Sequence, residues 1–181
     1  ASNTFMPKIE TIWYPMYWAV SMHHWAVQNT DVITLFYWDG FLWGLVNGNN
    51  ARPQYHLFPF IAKNLKHPGA KWLKVDNNEE QLKVLALRAK ADGKDYFNML
   101  VTNCNWKNEA YNVSFNVENI NGISKIKVFQ FNENNKGLEV LDTIDIKQNT
   151  INYTLNPFTI TIFQAELDPQ AKQPEMTKWK R

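Results

Sequence analysis

A single cysteine, Cys104, is the only thiol in this 181-residue chain. That excludes an internal disulfide framework and any metal site built from several cysteines. A bias of charge is also missing. The formal net charge is +2, which gives no reason to expect nucleic acid or an acidic membrane surface as partner. No segment approaches the roughly 20 uninterrupted apolar residues of a membrane-spanning helix. No basic segment leading into an apolar one marks a signal peptide. The chain opens on Ala1-Ser2-Asn3 rather than methionine, as a processed chain or an excised fragment would. P-loop, Gly-rich dinucleotide fingerprint, zincin helix and nucleophile elbow are all absent, and neither a repeat nor a low-complexity segment is visible. No cofactor and no metal are expected.

What is present is distributed unevenly. Residues 1–66 carry only seven charged side chains (Lys8, Glu10, Asp31, Asp39, Arg52, Lys63 and Lys66) yet hold five of the eight tryptophans. A unit so poor in charge has too little polar surface to cover itself. It requires a partner, either the following domain or chain outside this sequence. Within it, Pro15 suits the first turn of a helix, and residues 16–27 are apolar nearly all round, the pattern of a buried helix. Val32-Ile33-Thr34-Leu35-Phe36-Tyr37-Trp38 is a run of β-branched and aromatic residues closed by Asp39-Gly40, which predicts a strand buried on both faces. Pro53 opens a second helix, with Leu57, Phe58, Ile61 and Leu65 at helical spacing. Helix, buried strand, loop, helix is the order of a barrel or doubly wound sheet.

Beyond Pro68-Gly69 the hydrophobic period becomes two. Strands are expected at 72–75, 82–91, 96–104, 111–117, around Ile126–Phe131, and at 138–146, 151–155 and 158–167. Asp92-Gly93 supplies a hairpin turn signal. About eight strands with turns every 8–12 residues predict an antiparallel β-sandwich. The divisions expected are residues 1–67, 68–168 and a tail, 169–181, disordered or loosely docked.

Three constellations could carry chemistry. His23-His24 are adjacent on a helix and point about 100° apart, so they cannot chelate one metal as an i,i+4 pair can. Trp38, Asp39 and Trp43 lie at the carboxyl end of the predicted strand, where parallel α/β folds bind ligands. An indole there suits the apolar face of a sugar ring and a carboxylate suits its hydroxyls; core tryptophans and a turn-capping aspartate are the structural alternative. Glu10 is a candidate nucleophile only if a second carboxylate faces it across about 5–9 Å; a solvated loop carboxylate is the simpler reading. Asn112-Val113-Ser114 and Asn152-Tyr153-Thr154 match glycosylation sequons, a pattern that Asn-rich strands produce by chance.

The order Phe36-Tyr37-Trp38-Asp39-Gly40, Trp43-Gly44-Leu45-Val46-Asn47 and Arg52-Pro53-Gln54-Tyr55-His56-Leu57-Phe58 resembles the end of a clan-A glycoside hydrolase barrel, in the arabinofuranosidase, xylosidase and agarase branches. Asn156-Pro157-Phe158-Thr159-Ile160-Thr161-Ile162-Phe163 is similar to the last strand of the β-sandwich that follows it there. The resemblance implies the last helix–strand–helix of a (β/α)8 barrel plus a β-sandwich. It implies that Trp38 floors the sugar subsite beside the cleavage point, at a strained non-proline cis bond to Asp39, with Asp39 and Trp43 helping to shape the site. The acid/base and nucleophile glutamates would lie on strands absent here, so the isolated chain would be inactive. A carbohydrate substrate, the missing barrel portion as partner, and a secreted or periplasmic location follow from the same resemblance. A non-catalytic carbohydrate-binding or structural module, and a small protein that oligomerises through its apolar N-terminal third, are the alternative classes.

Overall fold

The computed structural model describes residues 11–28, 44–65, 70–105, 107–146 and 148–173. The predicted strand 32–38 lies outside these residues, so the expected helix–strand–helix is described only at its helices. Helix α1 (Trp13–Val27) begins two residues before Pro15, which occupies its first turn. It is less enclosed than its composition suggests. Tyr14, Pro15, Met16 and Ala19 are buried, whereas Tyr17 and Val27 are each more than half exposed. A short hairpin, β1 (Val46–Asn47) and β2 (Asn50–Ala51), turns at Gly48, whose φ of +56° favours glycine. It leads into α2 (Pro53–Asn64), with Pro53 at the helix start. The buried face of α2 is Gln54, Leu57, Phe60 and Asn64. It is rotated from the expected Leu57–Phe58–Ile61–Leu65 stripe, because two amides share the inner face with the apolar side chains.

The remaining strands are β3 (Lys71–Leu73), β4 (Leu82–Ala91), β5 (Lys94–Asn103), β6 (Tyr111–Asn116), β7 (Lys125–Phe131), β8 (Asp142–Asp145), β9 (Thr150–Leu155) and β10 (Thr159–Glu166). They form a six-stranded sheet in the order β3-β4-β5-β10-β7-β8 and a separate β6-β9 pair. Every strand pairing among the described residues is antiparallel. Asp92 and Gly93 both take positive φ and close the β4–β5 hairpin at Ala91 and Lys94, as the Asp-Gly signal predicts. The expected strand over 138–146 is regular only at Asp142–Asp145, and Leu138, Val140 and Leu141 are exposed.

The six-stranded sheet is covered on both faces. On one, Val84, Phe97, Met99, Val128 and Phe163 pack with Ile151 and Leu155 of β9 and with Ile120 and Ile123. On the other, Leu87, Leu100, Phe129, Phe131, Ile160 and Ile162 pack with Met16 and Ala19 of α1 and Leu57 and Phe60 of α2. Alternate residues of β5 and β10 therefore enter different cores, and β10 is buried at every position from Thr159 to Ala165.

The C-terminus of α2 is tied to this sheet by polar contacts. Asn64 Nδ2 donates to Gly137 O at 2.8 Å, Gln164 Nε2 of β10 donates to Asn64 O, and Lys63 Nζ donates to Leu138 O at 2.9 Å. Trp13 of α1 packs on Phe158, with ring centroids 4.6 Å apart. Of the expected tail, residues 174–181 lie outside the described residues, and 169–173 follow Asp168 along the loop at Asn121–Gly122. Asp168 N donates to Gly122 O at 3.1 Å, Gln173 Nε2 to Asn121 O at 2.7 Å, and Asn121 Nδ2 to Lys172 O at 2.9 Å.

Candidate functional site

Of the sequence-predicted site residues, Glu10, Trp38, Asp39 and Trp43 all lie outside the described residues, as does the Trp38–Asp39 peptide bond. The described chain resumes at Gly44, one residue beyond Trp43, and there it is gripped. Arg52 Nη1 donates to Gly44 O at 3.0 Å and Gln54 Nε2 donates to the same oxygen at 2.9 Å. The backbone adds Arg52 N to Leu45 O at 3.0 Å. Arg52 is only 2% exposed. A guanidinium taken out of water needs such partners, because an uncompensated buried charge is costly. Both gripping side chains sit at the entry to α2, so the Arg-Pro-Gln step that starts the helix also fixes Gly44. Sequence reasoning placed Arg52-Pro53-Gln54 in the motif but did not find this clamp. The signal was an arginine in a region almost without charge.

His23 lies beside β4, next to Lys83 and Val84. Burial, then the neighbouring His24 and Lys83, hold its pKa below the usual 6.5. The His23 and His24 rings meet edge to face, 5.5 Å apart and at 86°, so they diverge as their spacing requires. No cluster of three or more His, Cys, Asp or Glu able to hold a metal occurs among the described residues. A cavity of about 700 Å³ lies between the C-terminal end of α1 and β3–β4, where His23, Val27, Trp72, Leu82 and Lys83 line it. A second, more open cleft of about 760 Å³ lies between β8 and the β6–β9 pair, reached by Asp142, Tyr153 and the outward side chains of β6 and β9. The two sequons fall on this pair. Asn112 stands opposite Thr154 and Ser114 opposite Asn152.

No protein-family model matches the chain, and no curated protein matches it by sequence. Solved structures do. An endoxylanase of glycoside hydrolase family 30 from Clostridium papyrosolvens matches 87% of this chain with 39% of its own, at a TM-score of 0.67 and 16% identity. A bifunctional glucanase-xylanase from a metagenome library matches 88% with 29% of its own, at 0.70 and 13%. The α-L-arabinofuranosidase of Thermotoga maritima matches 92% with 41% of its own, at 0.57 and 15%. The fold is shared with a part of each of these glycoside hydrolases. At such identities the likeness is one of fold, and the chain spans well under half the length of each of these enzymes. No helix among the described residues is long and apolar enough to cross a membrane.

Proposed function

We propose that this chain is the C-terminal portion of a retaining glycoside hydrolase acting on plant or algal polysaccharides or the oligosaccharides they yield. Residues 1–67 would close a (β/α)8 barrel, and 68–168 would form the β-domain that supports it. The carrying observation is that about nine-tenths of this chain matches only 29–41% of a xylanase, a glucanase-xylanase and an arabinofuranosidase. Those three proteins differ in the glycosides they are named for, so the support is for glycosidase chemistry rather than for one bond.

On this reading Trp38 floors the glycone subsite, with Asp39 and Trp43 shaping it, and the clamp of Arg52 and Gln54 on Gly44 steadies the chain that follows. The acid/base and nucleophile carboxylates of double displacement belong to the preceding barrel strands. Without those strands the isolated chain has no turnover, even with Glu10 as a candidate nucleophile. A secreted or periplasmic location fits a polymeric substrate.

The test is the intact mass of the source protein together with hydrolysis of aryl β-xyloside, β-galactoside and α-arabinofuranoside. A species much heavier than 21.2 kDa that cleaves one of them is expected. A stable monomer of that mass without turnover overturns the proposal in favour of a non-catalytic module.

A further inference from the structure

The sequence contains two Asn-Gly steps, Asn47-Gly48 and Asn121-Gly122. A β-branched residue precedes each, Val46 and Ile120, so their local chemistry is closely matched. Such a step is chemically fragile. Glycine has no Cβ to shield its main-chain nitrogen, and the asparagine side chain carries an amide carbon within that nitrogen's reach. Asparagine is accordingly among the thermolabile residues. Both Asn47 and Asn121 are exposed, so exposure alone does not separate them.

Their surroundings do. Residues 47–50 are exposed throughout, and a Cβ built on Gly48 meets nothing within 4 Å. The β1–β2 hairpin has only the pairs Val46↔Ala51 and Asn47↔Asn50, and among the described residues it joins no other strand. An isolated two-stranded hairpin is marginal, so this one opens locally at far less cost than unfolding the chain. Asn121-Gly122 is held instead. Asn121 Nδ2 donates to Lys172 O at 2.9 Å and Asn121 N donates to Gln173 Oε1 at 3.1 Å. Gln173 Nε2 donates back to Asn121 O at 2.7 Å, and Gly122 O accepts from Asp168 N at 3.1 Å. A Cβ on Gly122 would stand 2.7 Å from Ala171 Cβ.

We propose that Asn47 is a site of spontaneous deamidation in the folded chain, while Asn121 is protected. When the hairpin opens, hydroxide takes the Gly48 N–H proton and the nitrogen attacks Asn47 Cγ. The N–Cγ bond closes a succinimide ring. The Cγ–Nδ2 bond breaks, and ammonia leaves with a proton from water, which regenerates the hydroxide. Water then opens the ring at either carbonyl. Opening at Cγ gives aspartate, and opening at the main-chain carbonyl of residue 47 gives isoaspartate, whose backbone runs through Cβ. Either product replaces a neutral amide by a carboxylate, the first charge between Gly44 and Arg52. The site therefore lies inside the loop that the Arg52–Gly44 clamp closes. It does not depend on the hydrolase reading, and either can fail without the other.

The test is incubation of the full chain at mildly alkaline and mildly acidic pH, with and without urea. Peptic peptides are weighed for the mass gain of deamidation, and isoaspartate is labelled with an isoaspartyl methyltransferase and a labelled methyl donor. In the folded chain Asn47 is expected to convert about tenfold faster than Asn121, equivalent to about 1.4 kcal/mol in barrier height. Conversion is expected to be faster at alkaline pH, and in urea the two rates should converge. Asn47→Gln should remove both the mass gain at position 47 and most of the methyl label. An Asn47 that stays intact in the folded chain overturns the proposal. So do equal rates at the two steps in the folded chain, or a difference that persists undiminished in urea.

Discussion

At the scale of single residues, the clamp on Gly44 O makes two unequal demands. Arg52→Met removes a charged donor from a buried carbonyl and should destabilise the chain by about 1.5–3 kcal/mol, the range for hydrogen bonds to charged groups. Gln54→Leu removes the other donor, but it also removes a buried Gln54 Oε1 that has no hydrogen-bond partner. Its cost should stay under about 1 kcal/mol. Denaturant unfolding of the two variants side by side checks the order, and equal costs would refute it. The sequence could not reveal this asymmetry. A buried arginine and an exposed one look alike until the fold shows where the Gly44 carbonyl lies. The same is true of Phe58 and Phe60. Both lie on a helix of apolar character, and only the packing of Phe60 on Phe131, 5.6 Å between ring centroids, settles which faces inward.

At the scale of elements, α2 is seated by the turn between β7 and β8. Gly137 has φ of +67°, and a Cβ built there would collide with the Phe60 ring. Gly137→Ala therefore combines an unfavourable left-handed backbone with overpacking, for an expected loss of about 2–4 kcal/mol, read as a lower urea midpoint. Helix α1 meets the sheet through His23, whose pKa burial lowers. Above pH 6.5 the imidazole is neutral in both the folded and unfolded chain. As pH falls through that value the unfolded chain binds the proton first, so stability drops on the acid side. His56, lowered by burial and by Lys136, acts in the same direction. His23→Gln should flatten part of that acid limb, and an unchanged slope would assign it elsewhere. Much of the strand pattern was legible. The Asp92-Gly93 turn and the alternation in Tyr111–Asn116 dictate β4, β5 and β6 almost to the residue. Leu138–Leu141 misled because an exposed apolar run and a strand have the same composition. The double burial of β10 was legible in Thr159–Ala165 only in hindsight, since period two hides a second core when both sets of positions are apolar.

At the scale of the whole molecule, one sheet divides two cores, and the second belongs jointly to the helices and the strands. A chain beginning at Ala70 would expose Leu87, Leu100, Phe129, Phe131, Ile160 and Ile162 as a continuous apolar face. Such a face binds hydrophobic dyes and aggregates, so the truncated chain should do both, whereas a β-domain that folds by itself would do neither. The order β3-β4-β5-β10-β7-β8 has a further consequence for synthesis. The centre of the sheet is occupied by β10, the last of its strands to leave the ribosome. Until Glu166 has cleared the exit tunnel, β3–β4–β5 and β7–β8 remain two unjoined halves with their inner edges open. The nascent chain thus completes its central sheet only after translation has passed residue 166, and until then its open edges and apolar faces invite mispairing. For this molecule the molecular crowd around the ribosome, and the chaperones in it, are part of the folding problem.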